Sequence, residues 1–304
     1  MRRINSISSL FIFFYWVLLL TGCNDSFDPI QESDNYNFSI FGYLDVSADT
    51  QWVRVSPPRN QLDGPTEVPE MLVTLEHMES GETVVMKDSL FDVGNGFNYI
   101  NFYTDMDIEP NQTYRVKAER PDGKSSQVLL STPDDFPTPR FIWDKSSFVE
   151  KHYHKIIVSG ADKIIDIQTW WFVRYNSDNG WIYKKFTFTY ADQIYSVNGY
   201  GGAYVADVVY EDELETVMNA SSVPLSPEAD VEILHRQVYV ANGGPDWNPE
   251  IRTLDDLYYA QLTHSNVENG LGYMLGISSK VIPYKTCQDD SSLLIACEEE
   301  EPYW

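Results

Sequence analysis

The chain has 304 residues, with 21 Lys and Arg against 46 Asp and Glu, a formal net charge of −25 that repels polyphosphate and excludes nucleic acid as a default partner. Hydrophobic residues at 43% and aromatics at 14% exclude general disorder, because burying that much apolar side chain offsets chain entropy. Past the extreme N-terminus no apolar run reaches the roughly 18 residues of a spanning helix, which excludes a multi-span helical membrane protein.

Arg2 and Arg3 open the chain, and an apolar run over residues 10–20 follows that is too short to cross a bilayer comfortably. It ends in Leu20-Thr21-Gly22-Cys23, which resembles the lipobox of bacterial lipoproteins. The small Thr21 and Gly22 let a signal peptidase reach the peptide bond, and the Cys23 thiol then accepts a diacylglyceryl group. Residues 1–22 are therefore expected to be a lipoprotein signal peptide and Cys23 the lipidated residue. Two acyl chains, each CH₂ contributing about 0.8 kcal/mol when buried, would hold the chain on a membrane without a spanning helix. An uncleaved signal anchor is the alternative; the charge, run length and box together favour cleavage. Residues 23–35 are polar and acidic and read as a tether. Their acids loosely resemble the export tag of surface lipoproteins in Bacteroidota, which leaves the membrane face open.

Residues 36–131 read as seven short strands, at 36–44, 51–56, 71–77, 82–88, 97–103, 113–120 and 127–131. Ser80-Gly81, Gly94-Asn95-Gly96, Glu109-Pro110-Asn111 and Asp122-Gly123 supply the turns between them. That spacing, with no helical period between, predicts an antiparallel sandwich of immunoglobulin-like type. Residues 132–140 (TPDDFPTPR) hold three prolines and form a predicted linker. A second β-rich domain with little helix is expected over 141–304. Its predicted strands are 155–159, 164–175, 181–190, 203–210, 231–240, 271–277 and 281–286. Asn176-Ser177-Asp178-Asn179-Gly180 is the hairpin turn between the second and third of these. One helix is expected, over residues 254–262 (LDDLYYAQL).

With Cys23 acylated, Cys287 and Cys297 remain, and an extracytoplasmic protein with two spare cysteines tends to pair them. Metal ligation is the rival reading, but no CxxC or nearby histidine supports it. A Cys287–Cys297 disulfide is expected to pin the last strand and leave the acidic tail in solvent.

Catalytic signatures are missing: the chain has no GxSxG, HExxH, P-loop or GxGxxG. His152 and His154 would share a strand face at a spacing that can hold zinc, yet two surface histidines without a third ligand are the plainer reading. Asp105, Asp107 and Glu109 could offer oxygens to calcium but lack the Asp/Asn-Gly pattern of a dedicated loop. No metal, no cofactor and no enzymatic activity are expected. Aromatic content points to binding instead. Trp170 and Trp171 are adjacent in a predicted strand and must face opposite ways, so one of them is free to serve as a stacking platform. Residues 199–202 and 242–247 are flexible aromatic loops on a rigid scaffold. Trp247, Tyr200 and Trp171 are accordingly the candidate ligand-binding residues, for a glycan or a peptide.

Several segments together resemble one family. These are the lipobox, Phe38-Ser39-Ile40-Phe41-Gly42-Tyr43-Leu44, Trp52-Val53-Arg54-Val55-Ser56, Thr113-Tyr114-Arg115-Val116 and His264-Ser265-Asn266-Val267-Glu268-Asn269-Gly270-Leu271-Gly272-Tyr273. In order and spacing they resemble a Bacteroidota lipoprotein family, domain of unknown function 4249. The resemblance implies a surface or periplasmic lipoprotein of the outer membrane, with an N-terminal immunoglobulin-like sandwich, often found with TonB-dependent receptors. The function expected from it is a non-enzymatic accessory role in nutrient capture or uptake by such a transporter. A stand-alone carbohydrate- or peptide-binding surface lipoprotein is the alternative. The resemblance brings no catalytic residues. Gly270 and Gly272 are expected to serve backbone geometry, through a positive φ or a close approach before a strand.

Overall fold

Seventeen strands and one α-helix form among the described residues, which in this computed structural model are 36–57, 67–92, 94, 98–145, 152–177, 180–197, 202–221, 231–248, 251 and 264–284. The fold is all-β, as the alternating sequence predicts. In the first half, β1 (Phe38–Asp45), β2 (Gln51–Ser56), β6 (Asn98–Thr104) and β5 (Lys87–Asp92) lie side by side in one sheet. A second sheet, in the order β4 (Thr83–Val85), β3 (Leu72–His77), β7 (Thr113–Glu119) and β8 (Ser125–Ser131), packs on it. Period-2 alternation explains the packing: Ile40, Val53, Val55 and Phe102 meet Val73, Leu75, Val116, Val128 and Leu130 in one core. The strand expected over 82–88 is two strands. At buried Met86, whose N–H donates to the Val73 carbonyl (2.9 Å), the chain leaves one sheet for the other.

The second half repeats the arrangement. β12 (Gly180–Thr189), β11 (Ile164–Ser177), β15 (Val231–Gly243) and β17 (Met274–Pro283) form a sheet. A smaller sheet covers it, made of β13 (Tyr195–Val197), β14 (Ala203–Val209), β10 (His152–Val158) and β9 (Arg140–Lys145). Ile156, Val158, Ala206 and Val208 close on Ile167, Val238 and Val240 between them. The helix α1 (Tyr210–Ser221) follows β14 directly and covers the end of β11 with Leu214 and Val217. Sequence reading placed a helix at 254–262 instead, in residues outside the described ones, and passed over α1, β9 and β13. The strands expected at 271–277 and 281–286 are, as far as Pro283, one strand, β17, preceded by the two-residue β16 (Gly270–Leu271).

The two halves share a sheet. β1 pairs antiparallel with β2 on one side and parallel with β16 and β17 on the other, so the larger sheet runs unbroken from β12 to β5. The proline-rich run 132–140 marks the passage from one half to the other, but it is not a free tether, since Phe136 and Thr132 are each 2% exposed.

The parallel seam depends on glycine. Gly272 has φ +130°, and a Cβ there would fall inside the Ile40 carbonyl; a Cβ on Gly270 would lie 2.6 Å from the Phe38 oxygen. Gly276 lets the carbonyl of Ser131, at the end of β8, approach the strand from the opposite sheet. Asn266 completes the turn: its amide donates to the Met274 carbonyl (2.6 Å), and its side-chain oxygen accepts from the Met274 N–H (3.0 Å). The backbone role expected of Gly270 and Gly272 is what the seam requires.

Gly272→Ala should abolish folding or cost more than about 4 kcal/mol, because steric overlap and a forbidden φ add together. Gly123→Ala, at a turn with φ +83° and open space around it, should cost only about 1 kcal/mol. Urea denaturation of the two variants checks the contrast; similar midpoints would contradict it.

Candidate functional site

Trp171 is not a platform. Helix α1, which the sequence reading lacked, covers its face of β11, so the ring is fully buried and donates its Nε1–H to Glu213 Oε2 (2.9 Å). Glu213, from the first turn of α1, also accepts from the hydroxyls of Thr169 and Tyr190, the latter at 2.5 Å. The Arg236 guanidinium lies 4.8, 4.8 and 4.5 Å from the ring centroids of Trp171, Tyr210 and Tyr284. Burial pushes the Glu213 carboxyl above the ordinary range, and its three hydrogen bonds and Arg236 oppose that shift. Burial likewise lowers Arg236. This cluster is a closed structural device that fastens the helix to the sheet. Trp170, on the opposite face, is half-buried, stacked on Tyr239 at 5.3 Å with the Lys185 ammonium 3.3 Å above it.

Trp247 also turns inward, to 6% exposure among Ile165, Tyr239, Tyr273, Leu275 and Ile277. Its loop is tied down at several points. Gly244 N–H donates to the Gly276 carbonyl (2.8 Å), Ser131 N–H to Asp246 Oδ2 (2.7 Å), and the Tyr273 hydroxyl to the Asp246 carbonyl (2.5 Å). What the loop does present is a cleft of about 440 Å³ where the start of β7 and the end of β8 approach the end of β15 and the segment before β11. Asn111, Gln112 and Thr113 form one wall, Ser131 to Pro133 a second, and Asp162, Lys163 and Gly243 to Pro245 a third. Cross-chain bonds brace it: Asn242 Nδ2 donates to the Asp134 carbonyl (3.1 Å), and Lys163 N–H to Asn242 Oδ1 (3.0 Å). Both halves of the chain build the walls, and a rigid cleft of this size suits a small ligand.

A second surface lies on the outer face of the larger sheet. Register aligns Trp52 with Tyr103 and Lys87, Phe41 with Arg54, and Phe91 with Tyr99. Trp52 stacks on Tyr103 (4.8 Å) and meets Phe91 edge-on (5.5 Å). Arg54 sits 4.1 Å from the Tyr99 centroid and 5.0 Å from Phe41. Tyr43, Trp52 and Phe91 remain 39–42% exposed. Sequence reasoning missed these residues, although the signal was there: in 36–44, 51–56 and 97–103 the positions opposite the core-facing ones carry aromatics where a solvated face would carry polar side chains.

The other candidates stay apart. His154 is buried against Tyr284 (5.0 Å) and Tyr210 (6.1 Å), which corrects its expected surface position. Asp105, Asp107 and Glu109 face solvent, with Thr50 donating to Asp105 (3.1 Å) and Lys87 near it (3.8 Å). Among the described residues no group of three or more His, Cys, Asp or Glu could hold a metal ion, and no helix is long and apolar enough to cross a membrane. Cys23, Tyr200, Cys287 and Cys297 lie outside the described residues. Comparison with protein-family models found no match, and comparison with curated proteins found none.

Glu213→Ala strands three buried donors and should lower stability by about 3 kcal/mol or more, while Glu213→Gln, which keeps polar atoms in place, should cost less. Because burial raises the folded-state pKa, the folded chain holds the Glu213 proton more tightly than the unfolded chain does. That contribution is complete below the ordinary carboxylate range and declines as pH rises through the raised value. Wild type should therefore gain on Glu213→Gln in urea melts at about pH 5 relative to about pH 8. A pH-independent difference would contradict the burial argument.

Proposed function

We propose that the protein is a lipid-anchored, non-enzymatic accessory lipoprotein of the outer membrane that assists nutrient capture or uptake by a TonB-dependent transporter. The carrying observation is the outer aromatic face, where three rings about 40% exposed stand on one strand surface with no core function, Trp52 opposite Tyr103 and Phe91 opposite Tyr99. Aromatic rings with interleaved cations are the composition of protein-docking hot spots, which favour Trp, Tyr and Arg. The lipobox ending at Cys23 supplies the anchor, and the N-terminal sandwich is read as immunoglobulin-like on the resemblance of its segments. A second reading, a stand-alone binder of carbohydrate or peptide, is favoured by the rigid cleft between the halves.

Crosslinking in cells and pull-down from solubilised outer membrane should recover a transporter with the protein. The double change Trp52→Ser with Phe91→Ser should reduce that recovery several-fold while leaving the folded state intact by thermal melt. Recovery of the protein alone, or recovery indifferent to the double change, would count against docking by this face. Cys23→Ser should abolish fatty-acid labelling; labelling that survives would refute the anchor.

In an oxidising compartment Cys287 and Cys297 should pair. Peptide mapping without reduction should recover them linked, and free thiols at both positions would oppose an extracytoplasmic location.

A further inference from the structure

Lys163 lies in the segment that leads into β11 and is one of the residues lining the cleft between the halves. Its ammonium lies 6.0 Å from the Trp247 ring centroid. Burial pushes it below the ordinary lysine range, and among the described residues no carboxylate opposes that shift. This is unusual in a chain with 46 acidic and 21 basic side chains, where a cation at random acquires an acidic neighbour. Nearby carboxylates are engaged elsewhere: Asp246 with the Ser131 N–H, and Asp134 with the Asn111 amide. On another wall, Gln112 brings an amide side chain whose Oε1 lies 3.2 Å from His77 Nε2. Asp162 is the remaining charged side chain of the lining.

A half-buried cation and an amide donor lining one cleft complement a small oxyanion, a class to which the two-oxygen carboxylate belongs. We propose that this cleft binds an organic carboxylate, with the Lys163 ammonium as counter-charge and Gln112, on another wall, as a neutral donor. A cleft of about 440 Å³ accommodates a single acidic sugar ring or the last two residues of a peptide. Bound there, the ligand touches walls contributed by both halves of the chain. The inference deepens the capture role and rests on it for its setting. The binding itself requires only the purified chain, so its failure would leave the transporter pull-down untouched.

The experiment titrates purified protein with two carboxylate families, read by calorimetry and by intrinsic fluorescence, for which Trp247 lies close to Lys163. Trigalacturonate is compared with neutral trigalactose, and trialanine with its C-terminal amide. Saturable binding of the acid, and not of its neutral counterpart, identifies the source. Lys163→Met keeps the side-chain stem over Trp247 but removes the charge, and should weaken binding about tenfold or more with an unchanged melting temperature. Lys163→Arg should retain most of the affinity. The proposal is overturned if neither carboxylate binds saturably at millimolar concentration, or if Lys163→Met binds as tightly as wild type.

Discussion

The parallel pairing of β1 with β17 is the constraint on which the rest of the structure depends. It joins the first described strand to the last, with Gly42 opposite Met274 and Asp45 opposite Ile277. Contacts this remote in sequence are slow to form, because loop-closure entropy must be overcome before they contribute anything. The pairing is accordingly fastened at both ends. At one end Ser126 bridges Phe38 N–H and the Asn269 carbonyl, through its Oγ at 3.1 and 2.6 Å. At the other, Asp45 accepts from Ser279 N–H (3.1 Å) and Ser279 Oγ (2.5 Å), while Gln51 closes on the Asp45 backbone in both directions at 2.9 Å. Asp45 is buried and its carboxyl is raised by that burial, so the clasp carries an electrostatic cost that its hydrogen bonds offset.

The shared sheet also decides where recognition surfaces can exist. One of its faces is covered by two separate four-stranded sheets, and the cleft lies where β7 and β8 of the first approach the end of β15 in the larger sheet. The close approach permitted by Gly244 and Gly276 brings backbone against backbone beside that cleft. The opposite face carries the aromatic rows in its β1-β2-β6-β5 part. The cleft is built from other residues than the aromatic rows are.

Strand positions were legible because alternation in a half-buried sheet is written directly in the residues; QWVRVS and TYRVKAE reappear almost residue for residue as β2 and β7. What could not be read was non-local. Nothing in FSIFGYL says that its neighbour lies more than 230 residues away. The expected division at 132–140 followed from local proline chemistry, which is indifferent to strand order. Helix α1 was missed at a legible place: Tyr210, Leu214 and Val217 have helical spacing, and Glu211, Asp212 and Glu213 favour a helix N-terminus. The preceding β-branched run drew the assignment toward strand. That omission then misplaced Trp171, since without α1 its face of β11 has nothing to cover it.

The distribution of cations makes the same point from the electrostatic side. Arg115 pairs with Glu76, Arg120 with Asp122, Arg174 with Glu232, Lys117 with Glu119 and Lys280 with Asp135. These pairs are mostly solvent-accessible and contribute little stability each. They are what an excess of acid produces by proximity alone. Lys163 and Lys185 depart from that pattern: among the described residues both are lowered by burial with no carboxylate opposing, and both sit over indole rings, Trp247 and Trp170. Placing an ammonium there surrenders water for an aromatic face whose attraction is about 0.5–2 kcal/mol. For Lys185, stacked 3.3 Å from Trp170 and 5.7 Å from Phe172, ring contact accounts for the position. At 6.0 Å from its ring Lys163 gains much less, and it lines the cleft together with Asp162. The asymmetry between these two lysines, rather than the burial of either, is what singles out the cleft as a place built to receive a negative group.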